Sequence, residues 1–183
     1  MSHPHDTNGP TPPDRQRRPT ADARDPTSTA GLRPAKTPGG PVDAETTVRK
    51  VCAYVTRRST ELLVFDGPGH DRPQVPKGTI EGDEPPRVAL RRELREETGL
   101  EPPCTPSHLA SDVWVRRHHP PRRYLRHFYH VPVEESRDAW THVVTGSGEE
   151  VGAEFAFTWQ PIDDVDALAL DLDDYVPLVR DRA

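Results

Sequence analysis

The sequence predicts an α/β domain with an unstructured stretch in front of it. Three observations carry this. Residues 1–44 hold nine of the chain's 22 prolines and almost no large apolar side chains. Segments rich in Val, Leu, Phe and Tyr lie on both sides of one strongly patterned helix between Pro85 and Gly99. A second, short helical segment closes the chain.

Residues 1–44 cannot bury enough apolar surface to offset the entropy of ordering, so they are expected to form a disordered, Pro-rich tail. The domain is assigned to 45–183. Val48, Val51, Ala53 and Val55 sit in a first β-prone segment, and Glu61–Phe65 forms a second. Arg57-Arg58-Ser59-Thr60 makes the hairpin turn between them. Gly67–His70 reads as a loop, and Gln74–Lys77 as a short strand leading into the helix. Pro85 and Pro86 suit a first helical turn, where a missing N–H costs little. Gly99 suits the stop, where a left-handed conformation is needed. Leu109–Arg117 and Tyr124–Val133 are expected as strands joined by 118–122. Trp140–His142 and Gly148–Glu150 bracket an expected loop. Phe155, Phe157 and Trp159 alternate on one face of a further strand. Asp163 is expected to cap a short helix, and a last helix to run over about 174–180. Trp114 and Trp159 are expected in the core.

Composition narrows the function classes. The formal net charge is -6, which argues against an extended nucleic-acid surface, and no stable nucleic-acid complex is expected. No run approaches the roughly 18 apolar residues that span a membrane, and residues 1–44 lack the apolar core of a signal peptide. The two cysteines, Cys52 and Cys104, have no metal-type spacing. A reducing, cytoplasmic setting is therefore expected, with Cys52 buried.

The chemistry concentrates in Gly78–Leu100, GTIEGDEPPRVALRRELREETGL. At about 100° per residue, Glu93, Glu96 and Glu97 fall within a helical sector of roughly 100°. Leu90 and Leu94 lie beside that sector and can anchor the helix to a sheet. Arg87, Arg91 and Arg95 face away and can meet water. Carboxylates packed this closely repel unless a cation sits among them, and Mg²⁺ takes oxygen ligands of this kind while sharing its shell with phosphates and water.

This string resembles the Nudix box, the signature of hydrolases that cut diphosphate linkages. The resemblance spans roughly 46–180 and implies an α/β/α sandwich with a mixed sheet. It implies Mg²⁺ (or Mn²⁺) held by Glu93, Glu96 and Glu97, with the Gly78 loop backbone completing the site. Arg92 would orient the glutamates, and Glu84 would support them through water or an ion pair. The base would be a box glutamate, here Glu96 with Glu93 and Arg92 beside it, or an acid on a later loop: Glu149 or Glu150, with Glu154 as a third choice.

Two features bear on substrate. Lys77 stands just before Gly78, within reach of a phosphate beside the metal. Arg116–His127 is the strongest basic cluster of the domain, and Arg122, Arg123 and Arg126 are its candidate phosphate ligands, with Tyr124 placed to stack on a base. The expected substrate is a small phosphorylated molecule, a nucleoside diphosphate linked to another moiety, with a lean to dinucleoside polyphosphates. The alternatives are a diphosphoinositol polyphosphate hydrolase and a Nudix-like ligand-binding regulator without turnover.

Overall fold

A computed structural model describes residues 47–67, 69–102, 105–117 and 121–181. The expected tail over 1–44, Cys104, and His118 and His119 of the basic cluster lie outside these residues.

β1 (Thr47–Arg57) and β2 (Glu61–Asp66) form the expected hairpin. Its turn places Arg58 and Ser59 at φ 51° and 59°, and the Thr60 N–H donates to the Arg57 carbonyl at 3.3 Å. This is the mirror-image turn whose twist matches paired strands. The strand entering the box is β3 (Lys77–Thr79), later than expected, with Gln74 making only a single bridge to Phe65. The box helix α1 runs Pro86–Thr98. Pro86 opens it and Gly99, at φ 73°, ends it. β4 (Ser107–Arg116) and β5 (Arg122–Pro132) follow as an antiparallel pair.

β6 (Ala139–Val143) is a strand the sequence reading did not assign, and it ends where the loop expected between Trp140–His142 and Gly148–Glu150 begins. It pairs with β7 (Glu154–Pro161). Beyond β7 the chain makes two 3₁₀ turns, Ile162–Asp164 and Ala169–Asp171, then the one-turn helix α2 (Pro177–Arg180). Asp163 lies inside the first turn and caps nothing by its side chain. Pro177 explains why the last helix starts later than expected, since proline fits its first turn.

The strand order is β4-β5-β1-β2-β7-β6, with β3 also on β1. β1 and β5 are parallel and the other pairs antiparallel, so the sheet is mixed. Alternation along β1 sends Val51, Ala53 and Val55 to one face and Cys52 and Tyr54 to the other. The first face packs under Ala89, Leu90 and Leu94 of α1. The second is covered by Ile162, Val165, Leu168, Leu172, Val176 and Val179. This is the expected α/β/α sandwich, its second layer built of short turns. Among the described residues no helix is long and apolar enough to cross a membrane.

Candidate active site

α1 lies on the sheet with Arg92, Glu93 and Glu97, in its second half, against β3. Leu90 and Leu94 are buried in the core beneath it, while Arg87, Arg91 and Arg95 are exposed. The anchoring fixes the helix's rotation, so Glu93 and Glu97 are turned toward the strand that enters the box. A Cβ built on Gly78 would overlap Cγ, Cδ and Oε2 of Glu93. Only a residue without a side chain lets β3 pass so close to this carboxylate.

Glu97 is 3% exposed. It accepts a hydrogen bond from the Lys77 N–H at 2.9 Å. Burial pushes its carboxyl up to about 8, against the pull of the Lys77 ammonium. Burial likewise raises Glu93, although Arg92 opposes it. Arg92 gathers the remaining charge. Its Nη1 donates to Glu93 at 3.0 Å and to Glu96 at 3.1 Å. Its Nε and Nη2 hold both oxygens of Glu84, at 3.2 and 3.0 Å, and Nη2 also donates to the Thr79 carbonyl at 2.9 Å. That bidentate grip depresses the Glu84 carboxyl below the usual range.

Glu93 and Glu97 open into a cleft of about 1090 Å³, which Gly78, Lys77, Glu149 and Glu150 also line. Lys77 Nζ lies 3.7 Å from Glu150 Oε1, and Ser147 Oγ donates to Glu81 Oε1 at 2.6 Å. The loop between β6 and β7 is thus tied to the box. It is tied to the helix end as well: the Thr145 N–H donates to the Glu96 carbonyl at 3.0 Å, and His142 Nε2 lies 3.1 Å from the same oxygen.

Glu96 shares Arg92 Nη1 with Glu93 but is not among the residues lining the cleft. Its side chain lines a neighbouring shallow depression with Glu84 and Arg92, packed over Gly146. Among the described residues no three His, Cys, Asp or Glu side chains converge on one point that would hold a metal ion. Arg92 holds Glu93 and Glu96, and the Lys77 amide holds Glu97. The donor chemistry fits a hard divalent cation: Glu93, Glu97 and Glu150 bring carboxylate oxygens to one cleft.

The basic cluster divides. Arg122 is exposed and lines the cleft. Arg123, one residue out of phase on β5, is not among the cleft's lining residues. Arg126 is not a hairpin-tip residue but is 4% exposed. Its Nε and Nη2 donate to Asp112 at 2.8 and 2.5 Å, and its Nη1 to the Leu170 carbonyl at 2.8 Å. With a bond from each of its three nitrogens, this guanidinium is a structural tie between β4, β5 and the C-terminal layer. Glu154, at the start of β7, is exposed and does not line the cleft. Trp159 packs against the core as expected, but Trp114 lines the cleft.

Sequence reasoning missed Lys50, which lies on the cleft floor. Along β1 it is in phase with Val48, Cys52 and Tyr54, but nothing local in the sequence marks that face as bordering a cleft.

A NUDIX domain model matches residues 46–180. The chain is 33% identical over 99 residues to an RNA pyrophosphohydrolase of Psychrobacter sp. (strain PRwf-1), covering 54% of this chain and 57% of that protein. It is 41% identical over 86 residues to the RNA pyrophosphohydrolase of Psychrobacter cryohalolentis, covering 47% and 49%. The chain thus spans about half the length of these curated relatives. Among solved structures, a MutT NUDIX hydrolase from Burkholderia pseudomallei matches with TM-score 0.53 and 17% identity, over 72% of this chain and 96% of that one. The NUDIX domain of Shewanella oneidensis NrtR, complexed with ADP ribose, matches with TM-score 0.52 and 18% identity, over 77% and 92%. At these identities the structural matches speak to the fold.

Proposed function

The chain belongs to the NUDIX domain family, and from that membership we propose that it hydrolyses a diphosphate linkage in a nucleotide-containing substrate. The observation that carries this is the joint opening of Glu93, Glu97, Gly78, Lys77 and Glu150 into one cleft. Mg²⁺ would be held by Glu93 and Glu97 with a carbonyl of the Gly78 loop, Glu96 joining from the adjacent depression; when bound, it neutralises diphosphate charge and acidifies a water.

The protein's own residues account for the rest. Arg92 fixes the rotamers of Glu93 and Glu96 and draws Glu84 to the helix start. Lys77 meets the phosphate as Glu150 releases it. Water attacks one phosphorus, the bond from that phosphorus to the bridging oxygen breaks, and the oxygen leaves with the other phosphate. The water's proton passes to a carboxylate facing the cleft. Glu150 is the better placed acid, since Glu96 does not line the cleft.

The names of the sequence relatives favour the 5′ di- or triphosphate end of an RNA as substrate over a dinucleoside polyphosphate. An RNA end is a small anchor and asks for no extended basic surface, in keeping with the net charge of -6. The test is a substrate panel with Mg²⁺: 5′-triphosphorylated oligoribonucleotide, diadenosine tetraphosphate, ADP-ribose, a nucleotide sugar and a diphosphoinositol phosphate. Faster cleavage of the RNA end is the expected outcome. Binding of one of these without cleavage of any would favour the ligand-binding regulator.

A further inference from the structure

Strand register lays two rows of side chains across the cleft floor. In one, Val48 pairs with Tyr124 and Tyr124 with Trp114. In the other, Lys50 pairs with Arg126, and Arg126 with Asp112, which lies outside the cleft lining. The first row is apolar and aromatic, its two rings 5.7 Å apart. The second is charged, but Asp112 and the Leu170 carbonyl occupy Arg126. Lys50 is different. Among the described residues it makes no side-chain hydrogen bond and no ion pair, and it lines the cleft.

Its position along the floor is defined. On one flank lies the aromatic row. On the other, β1 pairs Lys50 with Thr79 and Val51 with Gly78, the glycine against which Glu93 packs. The charge of Glu93, Glu97 and Glu150 reaches Lys50 without any of them closing on it. A half-buried ammonium with no partner is costly to a fold. Here it lines the same cleft as the aromatic pair Tyr124 and Trp114 and the carboxylates of Glu93, Glu97 and Glu150. The far wall is built with care: Leu170 and Asp171 adopt φ 62° and 55°. The Leu170 carbonyl accepts from Arg126 and the Asp171 carboxylate from Trp114 Nε1 at 3.0 Å. Consecutive strained residues held by their neighbours shape the rim beside the aromatic row.

We propose that Lys50 binds a phosphate of a nucleotide whose base lies on the Val48–Tyr124–Trp114 row, so that the cleft selects a nucleoside 5′-phosphate end over a bare polyphosphate. This rests on reading the cleft as the substrate site, and it assigns Lys50 to binding rather than to bond cleavage.

The test is calorimetric binding of α,β-methylene-ADP, whose bridge resists hydrolysis, and of adenosine, to the full chain with Mg²⁺. Wild type is expected to prefer the diphosphate. Lys50→Met should weaken the diphosphate by about 10- to 100-fold, the worth of one charge-assisted contact, and leave adenosine unchanged. Lys50→Arg should keep most of the affinity. Lys50→Met should melt at or above the wild-type temperature, whereas a lysine retained for structure would lower it. Unchanged diphosphate affinity in Lys50→Met, equal losses for both ligands, or no diphosphate binding by wild type would each overturn the inference; Lys50→Gln carries the same comparison if the methionine variant does not fold. Hydrolysis is scored separately on the wild type. Lys50-dependent binding without any diphosphate cleavage would keep this inference and remove the hydrolase reading. Cleavage with Lys50-independent binding would do the reverse.

Discussion

Gly78 and Glu93 interlock: the glutamate's carboxyl group fills the space in which a Cβ on the glycine would stand. Strand and helix can therefore approach only while residue 78 is glycine. Gly78→Ala should displace Glu93 or push β3 off α1. We expect turnover to fall by about a hundredfold or more, because the carboxylate leaves the cleft, and stability to fall by about 1–3 kcal/mol from overpacking. Steady-state kinetics with thermal denaturation checks both. Unchanged turnover would separate the glycine from the chemistry.

Glu97 supplies a pH prediction. Burial raises its carboxyl from 4.5 to about 8. A group whose folded pKa is raised favours the fold fully below its unfolded pKa, and that advantage is lost as pH rises through the folded value. Without metal, wild type should lose stability between about pH 4.5 and 8, and Glu97→Gln should lose less over the same window. Mg²⁺ binds the ionised carboxylate, so it should raise the wild-type melting temperature more at pH 8.5 than at pH 6. Parallel melting curves for wild type and Glu97→Gln, with and without Mg²⁺, read both effects. Coincident pH profiles of the two metal-free proteins would show that Glu97 does not titrate in this range.

The site was legible in the sequence where its signals are local, and illegible where they come from pairing. Pro86 and Gly99 bound α1 because a missing N–H and a left-handed φ act within one turn of the chain. β6 was not visible. Its inward residues are Trp140 and His142, and a histidine breaks the apolar alternation. His142 is polar because it meets the Glu96 carbonyl at the helix end, a partner 46 positions away. Arg126 looked like one more arginine of a basic run. Its fate is set by Asp112 opposite it on β4, and register of this kind is fixed by the whole sheet. Lys50 sat beside Arg49 in what reads as the charged start of a strand, and only the C-terminal layer and the β4–β5 pair make its surroundings a cleft.

The base prediction contrasts Glu150 with Glu96. Glu150 lines the cleft 3.7 Å from Lys77 Nζ, whereas Glu96 packs outside it against Arg92. Glu150→Gln keeps size and removes the proton acceptor, so kcat should fall by about 10²–10⁴ with KM little changed. Glu96→Gln should act more through the Mg²⁺ requirement, shifting the concentration that gives half-maximal rate. Rates of both variants over a Mg²⁺ titration decide the matter. A full rate for Glu150→Gln at saturating Mg²⁺ would return the role to a box glutamate.

Arg122 and Arg126 stand four residues apart on β5 and should behave oppositely. Arg126 is buried and holds Asp112 with two nitrogens. Removing Arg126 leaves the half-buried Asp112 carboxylate uncompensated and opens a gap in the sheet, so Arg126→Ala should cost about 2–4 kcal/mol. Arg122 is exposed at the cleft mouth. Its removal should leave the melting temperature within about 2 °C, as surface changes usually do. If it meets distal phosphates, Arg122→Ala should raise KM for a triphosphate end or a tetraphosphate by about tenfold and spare ADP-ribose, because the arginine contributes only where a phosphate reaches it. Arg123→Ala, absent from the cleft lining, serves as the control and should change neither. Equal KM effects of Arg122→Ala and Arg123→Ala on long and short substrates would reduce the basic run to a solvated hairpin and leave phosphate recognition to the lysines at 50 and 77.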